Sequence, residues 1–365
     1  MKILYVTTVG STMGFFKSFI RMLLDGGHTV DIATNDKAVP VQAYYREWGC
    51  NVYQISCTRS PLNKGSVSAI QEIKKIVTEN GYDIVHCHTP IAAMCTRLAC
   101  KDLRKKGVRV IYTAHGFHFY AGAPKKNWLI YYPVEKVCAK HTDTLITINQ
   151  EDYAFAKEKM NAKEIVYIPG VGIDVDRFAN ITVDRNEKRA ALGIPEDAYL
   201  LLSVGELNKN KNHEVVIRAL AEIGDEKMHY AIAGAGGLKD ELENLAKELG
   251  VEKRVHLLGY RTDVAELYHV SDIFVFPSFR EGLSVSVMES LASGLPVICS
   301  KIRGNVDLVE NGVTGYWANP FDYKTFVEGI LKIQNDGQMK DKCNEASKQY
   351  NVNEINKLIA SVYHI

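Results

Sequence analysis

The feature that most constrains this chain is a repeated alternation. Short apolar, β-leaning runs at residues 2–6, 28–33, 83–87, 108–113 and 144–148 are interleaved with helix-patterned stretches at 15–24, 67–80 and 91–106. Glycines follow each of those stretches, at Gly26 and Gly27, Gly81 and Gly107, as helix stops require. Strand–helix repetition of this kind builds a parallel sheet wound with helices on both faces. The pattern then restarts. A strand at 165–168 leads into the turn-rich residues 169–176, and a second series opens at 200–204 and continues at 230–233, 255–258, 273–276 and 297–299. A length of 365 residues exceeds one ordinary core and suits two domains. The expected fold class is α/β, with two Rossmann-like doubly wound parallel-sheet domains facing a cleft. The expected domains are residues 1–173 and 174–350, followed by a terminal helix at 351–365. Clefts between domains are favoured ligand sites.

Composition excludes several classes. Apolar residues make up 46% and low-complexity tracts are absent, so the chain should be globular throughout. No apolar run approaches the ~18 residues of a spanning helix. No signal peptide is expected, since a strand-like run begins almost at once at residues 3–6. The eight cysteines form no C-x-x-C pair and several lie in apolar segments. They read as reduced core residues of a cytoplasmic protein. His86, Cys87 and His88 offer metal-ligating types, but strand alternation sends neighbours to opposite faces. The net charge of +1 hides an asymmetry: residues 1–175 hold 22 basic and 15 acidic side chains, leaving +7, and the remainder carries −6. The basic half, with Lys101, Arg104, Lys105, Lys106, Arg109, Lys125 and Lys126, suits an anionic membrane surface, with a solvated helix end as the alternative. No nucleic-acid motif accompanies the charge, so nucleic acid is not an expected partner.

Residues 279–294 carry two carboxylates, Glu281 and Glu289, separated by seven residues. A strand ending at Pro277 precedes them and a strand starting at Pro296 follows. Glu281 therefore falls in a loop at the carboxyl end of a strand, and Glu289 about a turn and a half into a helix. Ligands bind at that edge of open α/β sheets. Two carboxylates facing one crevice suit neutral diols, because each accepts two hydroxyl hydrogen bonds. A sugar and a ribose both offer such diols. A solvated helix face carrying two acids is the competing account.

The run from Val270 to Gly315 resembles the E-x7-E region of family-4 glycosyltransferases, which have the GT-B architecture, and the likeness extends over most of the chain. The resemblance implies a retaining transferase that uses a nucleotide sugar and no catalytic metal or other cofactor. It implies that Glu281 holds donor-sugar hydroxyls, that Glu289 holds the ribose diol, and that Gly282, Leu283 and Ser284 line the donor site between them. Residues 203–212 resemble the family's segment after the first strand of the second domain. There Gly205 admits the diphosphate and Lys211 neutralises the departing charge. This chain departs from the commoner pattern by placing Glu206 where an arginine follows the glycine. Lys209 is the nearest substitute cation, with Arg280 and Arg261 behind it. Tyr260 and Arg261 fall in a segment resembling the base-reading loop. Residues 234–237 read mainly as a tight strand–helix turn. The terminal helix of this architecture commonly crosses back to the first domain.

In the first domain, residues 9–14 resemble the family's glycine-bearing loop, with Gly10 near the donor phosphates; a helix N-terminus after it would favour an anion. His115, at a strand end, matches the histidine that touches the donor sugar. Imidazole can hydrogen-bond a hydroxyl in either ionic state. His88, His118 and Tyr120 are expected on the acceptor side. Residues 116–135 read as an aromatic linker, similar to a subgroup that builds bacterial surface polysaccharides and lipid-linked glycans. Such a surface suits a lipid-carried acceptor; burial in the core is the alternative. The expected reaction moves a sugar, with a UDP-N-acetylhexosamine or UDP-hexose first among donors, to a glycan or polyprenyl-diphosphate-linked acceptor. The expected location is the cytoplasm, at the inner face of the cell membrane if the lipid surface is engaged. A sugar-nucleotide 2-epimerase, which would isomerise the donor with no acceptor, and a non-catalytic nucleotide-sugar sensor are the alternatives.

Overall fold

A computed structural model describes residues 1–58, 64–336 and 339–365. The chain forms two compact units. The first comprises Met1–Val171 with Ile355–Ile365, the second Gly172–Glu354.

The first unit carries seven parallel strands: β1 (Lys2–Val9), β2 (Thr29–Asn35), β3 (Val52–Gln54), β4 (Ile84–His88), β5 (Arg109–Ala114), β6 (Thr144–Thr147) and β7 (Glu164–Tyr167). Their spatial order is β3-β2-β1-β4-β5-β6-β7. The order reverses between β1 and β4, which pair from Ile3 with Ile84 to Val6 with Cys87. A doubly wound sheet binds ligands at the carboxyl ends of the strands beside that reversal. Strands β1, β4 and β5 are buried almost throughout, because helices cover both faces. The closing part of the Val352–Tyr363 helix belongs to this unit. Tyr363 donates to Tyr5 and lies 2.6 Å from His86 Nδ1, and Asn356 donates to Ser18.

The second unit carries six parallel strands: β8 (Tyr199–Val204), β9 (Met228–Ala233), β10 (Val255–Gly259), β11 (Ile273–Phe276), β12 (Val297–Ser300) and β13 (Gly315–Ala318). The order is β10-β9-β8-β11-β12-β13, so the reversal lies between β8 and β11. One apolar cluster spans both faces of this sheet.

Two expectations need correction. The stretch 91–106 is not one helix: Pro90–Ala99 is helical, and Leu103–Lys106 forms a separate 3₁₀ turn. After Cys100 the residues are charged except Leu103, so no apolar face sustains the α-helix, and the chain tightens before Gly107 at φ +101°. The aromatic segment 116–135 is largely not a linker: Lys125–Ala139 is a helix. Its buried and half-buried positions, 127, 128, 131, 132, 135, 138 and 139, follow the helical period. Pro133 disguises it, but that residue sits on the exposed side of the helix. All eight cysteines are free and buried. Among the described residues no helix is long and apolar enough to cross a membrane.

Candidate functional site

In the second unit, the β8/β11 reversal gathers the key charges. Lys211 lies in the loop after β8 and Glu281 in the loop after β11. Lys211 Nζ meets Glu281 Oε1 at 2.8 Å and sits 4.7 Å from the centroid of the Phe276 ring. Two features fix the lysine. A Cβ at Gly205 would stand 3.2 Å from Lys211 Cε, so the missing side chain makes room for the lysine stem. Asn212, in the left-handed conformation at φ +55°, donates to the carbonyls of Pro277 and Pro320 and ties this loop to the end of β11. Asn210 adds a bond to the Arg280 carbonyl.

Glu289 lies in the Val285–Ala292 helix, which Ser284 caps by accepting from Val287 N–H. Tyr268 OH donates to Glu289 Oε2 at 3.0 Å. Burial pushes the Glu289 carboxyl up to about 7, against the opposing pull of Tyr268 and Arg177. A partly buried acid with one bonded oxygen is held ready to accept hydroxyls from something else. Gly282, Leu283 and Ser284 link the two acids. Gly304, at φ +79°, approaches so closely that a Cβ would fall 2.2 Å from Gly282 O.

The adjacent Arg303 was missed by the sequence reading. It is only 8% exposed, and its Nε and Nη2 donate to the Glu281 carbonyl at 3.3 and 3.2 Å. The available signal was a basic residue just beyond β12, the next strand at the same sheet edge. The substitutes named for the missing arginine fare differently. Arg261 is committed to Asp263 through Nε at 2.8 Å and Nη2 at 2.5 Å, and Lys188 shares that carboxylate. Its guanidinium is thus paired within its own loop. Lys209 lines a surface depression with Glu241 and Glu248, and Arg280 is exposed. Tyr260 is 81% exposed after β10, free to present a ring. The glycines at 234 and 236 pack on the loop after β8: Cβ atoms there would fall 1.8 Å from Gly205 O and 2.4 Å from Leu207 O.

In the first unit, His88 ends β4 and His115 directly follows the neighbouring strand β5. His88 Nδ1 lies 3.1 Å from His115 Nε2. Behind them His86 bridges Thr113 Oγ1 at 2.8 Å and Tyr363 OH. Burial holds His115 down at about 4 and His86 at about 3, and pushes His88 well below its ordinary value. All three are neutral near pH 7, so the His88–His115 contact shares one proton and fixes complementary tautomers. His88 Nε2 is buried without a hydrogen-bond partner and lines a cavity with Tyr5, Phe16 and His115. Thr89, just after His88, has φ +64°, a costly conformation for a β-branched residue. His118 lies apart from this pair, its ring 4.6 Å from that of Tyr131, and Tyr120 is half-buried in the same loop. Gly10 is explained by packing: its N–H donates to Val39 O, and a Cβ would fall 2.5 Å from that oxygen. Its amide is therefore not available to a phosphate. Among the described residues, no three His, Cys, Asp or Glu side chains converge as a metal centre.

Comparison with known proteins gives this geometry a family. The description "Glycosyl transferase 4-like" matches residues 2–149 and "Glycosyl transferases group 1" matches residues 184–350. EpsD of Bacillus subtilis (strain 168), which carries the glycosyltransferase name, is 34% identical over 95% of this chain and 91% of its own. The chain belongs to the family-4-like GT-B glycosyltransferases. This transferase is also 30% identical, over 74% of its length and 73% of the relative's, to the UDP-Gal:alpha-D-GlcNAc-diphosphoundecaprenol alpha-1,3-galactosyltransferase of Escherichia coli. Its fold matches Anabaena Alr3699/HepE, solved in complex with UDP, at a TM-score of 0.82 and 21% identity over all of both chains. WaaG, a glycosyltransferase involved in lipopolysaccharide biosynthesis, matches at 0.74 and 20% identity over 99% of both chains. The transferase thus has the expected α/β fold class, and the two sheet reversals are where it gathers its polar side chains.

Proposed function

We propose that this glycosyltransferase takes its sugar from a UDP-sugar and passes it, with retention of anomeric configuration, to a polyprenyl-diphosphate-linked sugar. The observation that carries the donor reading is the Lys211–Glu281 pair at the β8/β11 reversal, with Glu289 on the helix that follows the Glu281 loop. Glu289 accepts the ribose diol, and Lys211 stabilises the departing diphosphate. Glu281, between the cation and the Gly282–Ser284 backbone, accepts donor-sugar hydroxyls. Gly205 leaves the diphosphate space, and Tyr260 presents its ring to the base while the Arg261 backbone reads the base edge. Arg303 holds the Glu281 loop in place. In the first unit, neutral His115 orients a sugar hydroxyl, with His88 fixing its tautomer.

Two relatives support the finer reading. The Escherichia coli relative is named for transfer from UDP-galactose, whose sugar is α-linked, into an alpha-1,3 linkage on a diphosphoundecaprenol-linked sugar. Alr3699/HepE was solved with UDP-glucose. Retention through front-face attack has the leaving phosphate accept the acceptor proton, which requires no carboxylate nucleophile. A donor screen by thermal shift tests the proposal. UDP and one or more UDP-sugars should raise the melting temperature, with GDP- and ADP-sugars giving smaller shifts. Stabilisation by a guanine or adenine nucleotide alone would refute the donor assignment.

A further inference from the structure

The Lys125–Ala139 helix has two unlike faces. Inward, Trp128 and Tyr132 pack with Phe119, with ring centroids 5.6 and 5.5 Å from it. Glu135 is buried in an ion pair with Arg97 at 2.8 Å, and Cys138 and Ala139 are buried. The helix is therefore pinned to the first unit from inside. Outward, Leu129 is 77% exposed, and Ile130, Val134 and Val137 are exposed with it. Pro133 lies between them on the same side. Positions 129, 133 and 137 and positions 130 and 134 are four apart, so they form one aliphatic stripe. Exposed Lys125 and Lys126 stand at one end of it, Lys136 and Lys140 at the other. The helix's single acid is the buried Glu135, so no carboxylate of the helix faces outward.

We propose that this face docks the protein on an anionic lipid bilayer. Aliphatic side chains enter the boundary between headgroups and acyl chains, and the flanking lysines pair with anionic headgroups. Charge decides between occupants. A second copy laid face to face would set lysine against lysine, whereas an anionic surface complements all four. Lys125 and Lys126 stand in the first turn, where the helix dipole disfavours cations, so helix stability does not account for them. The aromatic residues expected on such a surface instead pack inward, and Arg104 is tied to Asp143. The inference deepens the reading of a lipid-linked acceptor, yet its test needs no donor or acceptor.

The test is co-sedimentation of the full chain with vesicles of equimolar phosphatidylglycerol and phosphatidylcholine, and with phosphatidylcholine alone. The protein should sediment with the first and not the second, and less so as salt shortens the screening length below roughly 10 Å. Lys125→Glu/Lys126→Glu should lower the partition coefficient by roughly tenfold or more. That pair suits the helix dipole, so unfolding would not explain the loss. Leu129→Ser/Ile130→Ser should also weaken binding, with the melting temperature unchanged. Equal sedimentation with both vesicles or with neither, or partition unaffected by the two variants, would overturn the proposal. So would a dimer that the serine variant dissociates in a protein that ignores vesicles. Thermal shift by UDP is read on the same samples, so the donor reading and the docking face can fail separately.

Discussion

Glu289→Gln separates stability from function at one atom. Burial raises this carboxyl from its ordinary 4.5 to about 7 in the folded protein. At about 1.4 kcal/mol per tenfold change in proton affinity, the charged form costs the folded state about 3 kcal/mol. The sign follows from the raised value. Below the unfolded 4.5 both states are protonated and the cost is absent. It grows as pH rises from 4.5 to 7 and is complete above 7. Glutamine keeps the shape and the acceptor for Tyr268 but carries no charge. The variant should therefore gain up to about 3 kcal/mol at pH 8, and less than about 1 kcal/mol at pH 5. For a unit of this size that is a rise in melting temperature of roughly 6–10 °C at pH 8. UDP affinity should fall by roughly ten- to a hundredfold, because a charge-assisted hydrogen bond to the ribose is lost. Thermal melts at the two pH values and calorimetry with UDP measure both effects. A variant no more stable than the parent at pH 8, or equally stabilised at pH 5, would refute the argument from burial. Unchanged UDP affinity would remove Glu289 from the ribose.

Other substitutions divide the site further. Lys211→Ala should slow transfer by a factor corresponding to ~3–4 kcal/mol, since a cation at the leaving group acts most in the transition state; single-turnover rates check this, and near-normal turnover would exclude Lys211. Glu281→Ala should spare bare UDP and damage transfer, whereas Glu289→Ala should weaken bare UDP as well; calorimetry showing equal UDP loss in both would contradict the division. Arg303→Met should lower kcat with little change in UDP affinity, because its bonds hold the Glu281 carbonyl rather than the ribose; a loss confined to UDP binding would place it on the diphosphate instead. His115, neutral down to about 4, should contribute no inflection to the pH–rate profile between 5 and 8, so a limb near 7 should disappear in Glu289→Gln.

Much of this was legible because α/β sheets write their order into the sequence. The strand at residues 273–276 was read with the bounds it has, since four buried apolar residues closed by a proline leave little choice. The three-residue edge strand β3 and the strand β13 were not read, because short edge strands carry little apolar pattern. Lys211 and Glu281 were each singled out, but not their contact, since 70 residues separate them and only the β8/β11 pairing brings their loops together. Gly10 shows the opposite limit. A glycine after a first strand suggests a phosphate, and only the Val39–Val41 backbone above it supplies a packing reason. Arg303 offered one signal, a basic residue just beyond β12, but its bonds go to the Glu281 carbonyl, which no side-chain pattern announces.

The central claim is transfer from a UDP-sugar with retention, and product analysis tests it directly. The purified protein is incubated with a UDP-hexose or UDP-N-acetylhexosamine chosen by the thermal-shift screen and with a polyprenyl-diphosphate-linked sugar. The anomeric proton of the new linkage is then read by NMR. The account predicts an α-linked product from an α-linked donor, formed together with free UDP and lost in Lys211→Ala. A β-linked product would contradict retention, and donor isomerised without acceptor would contradict transfer itself.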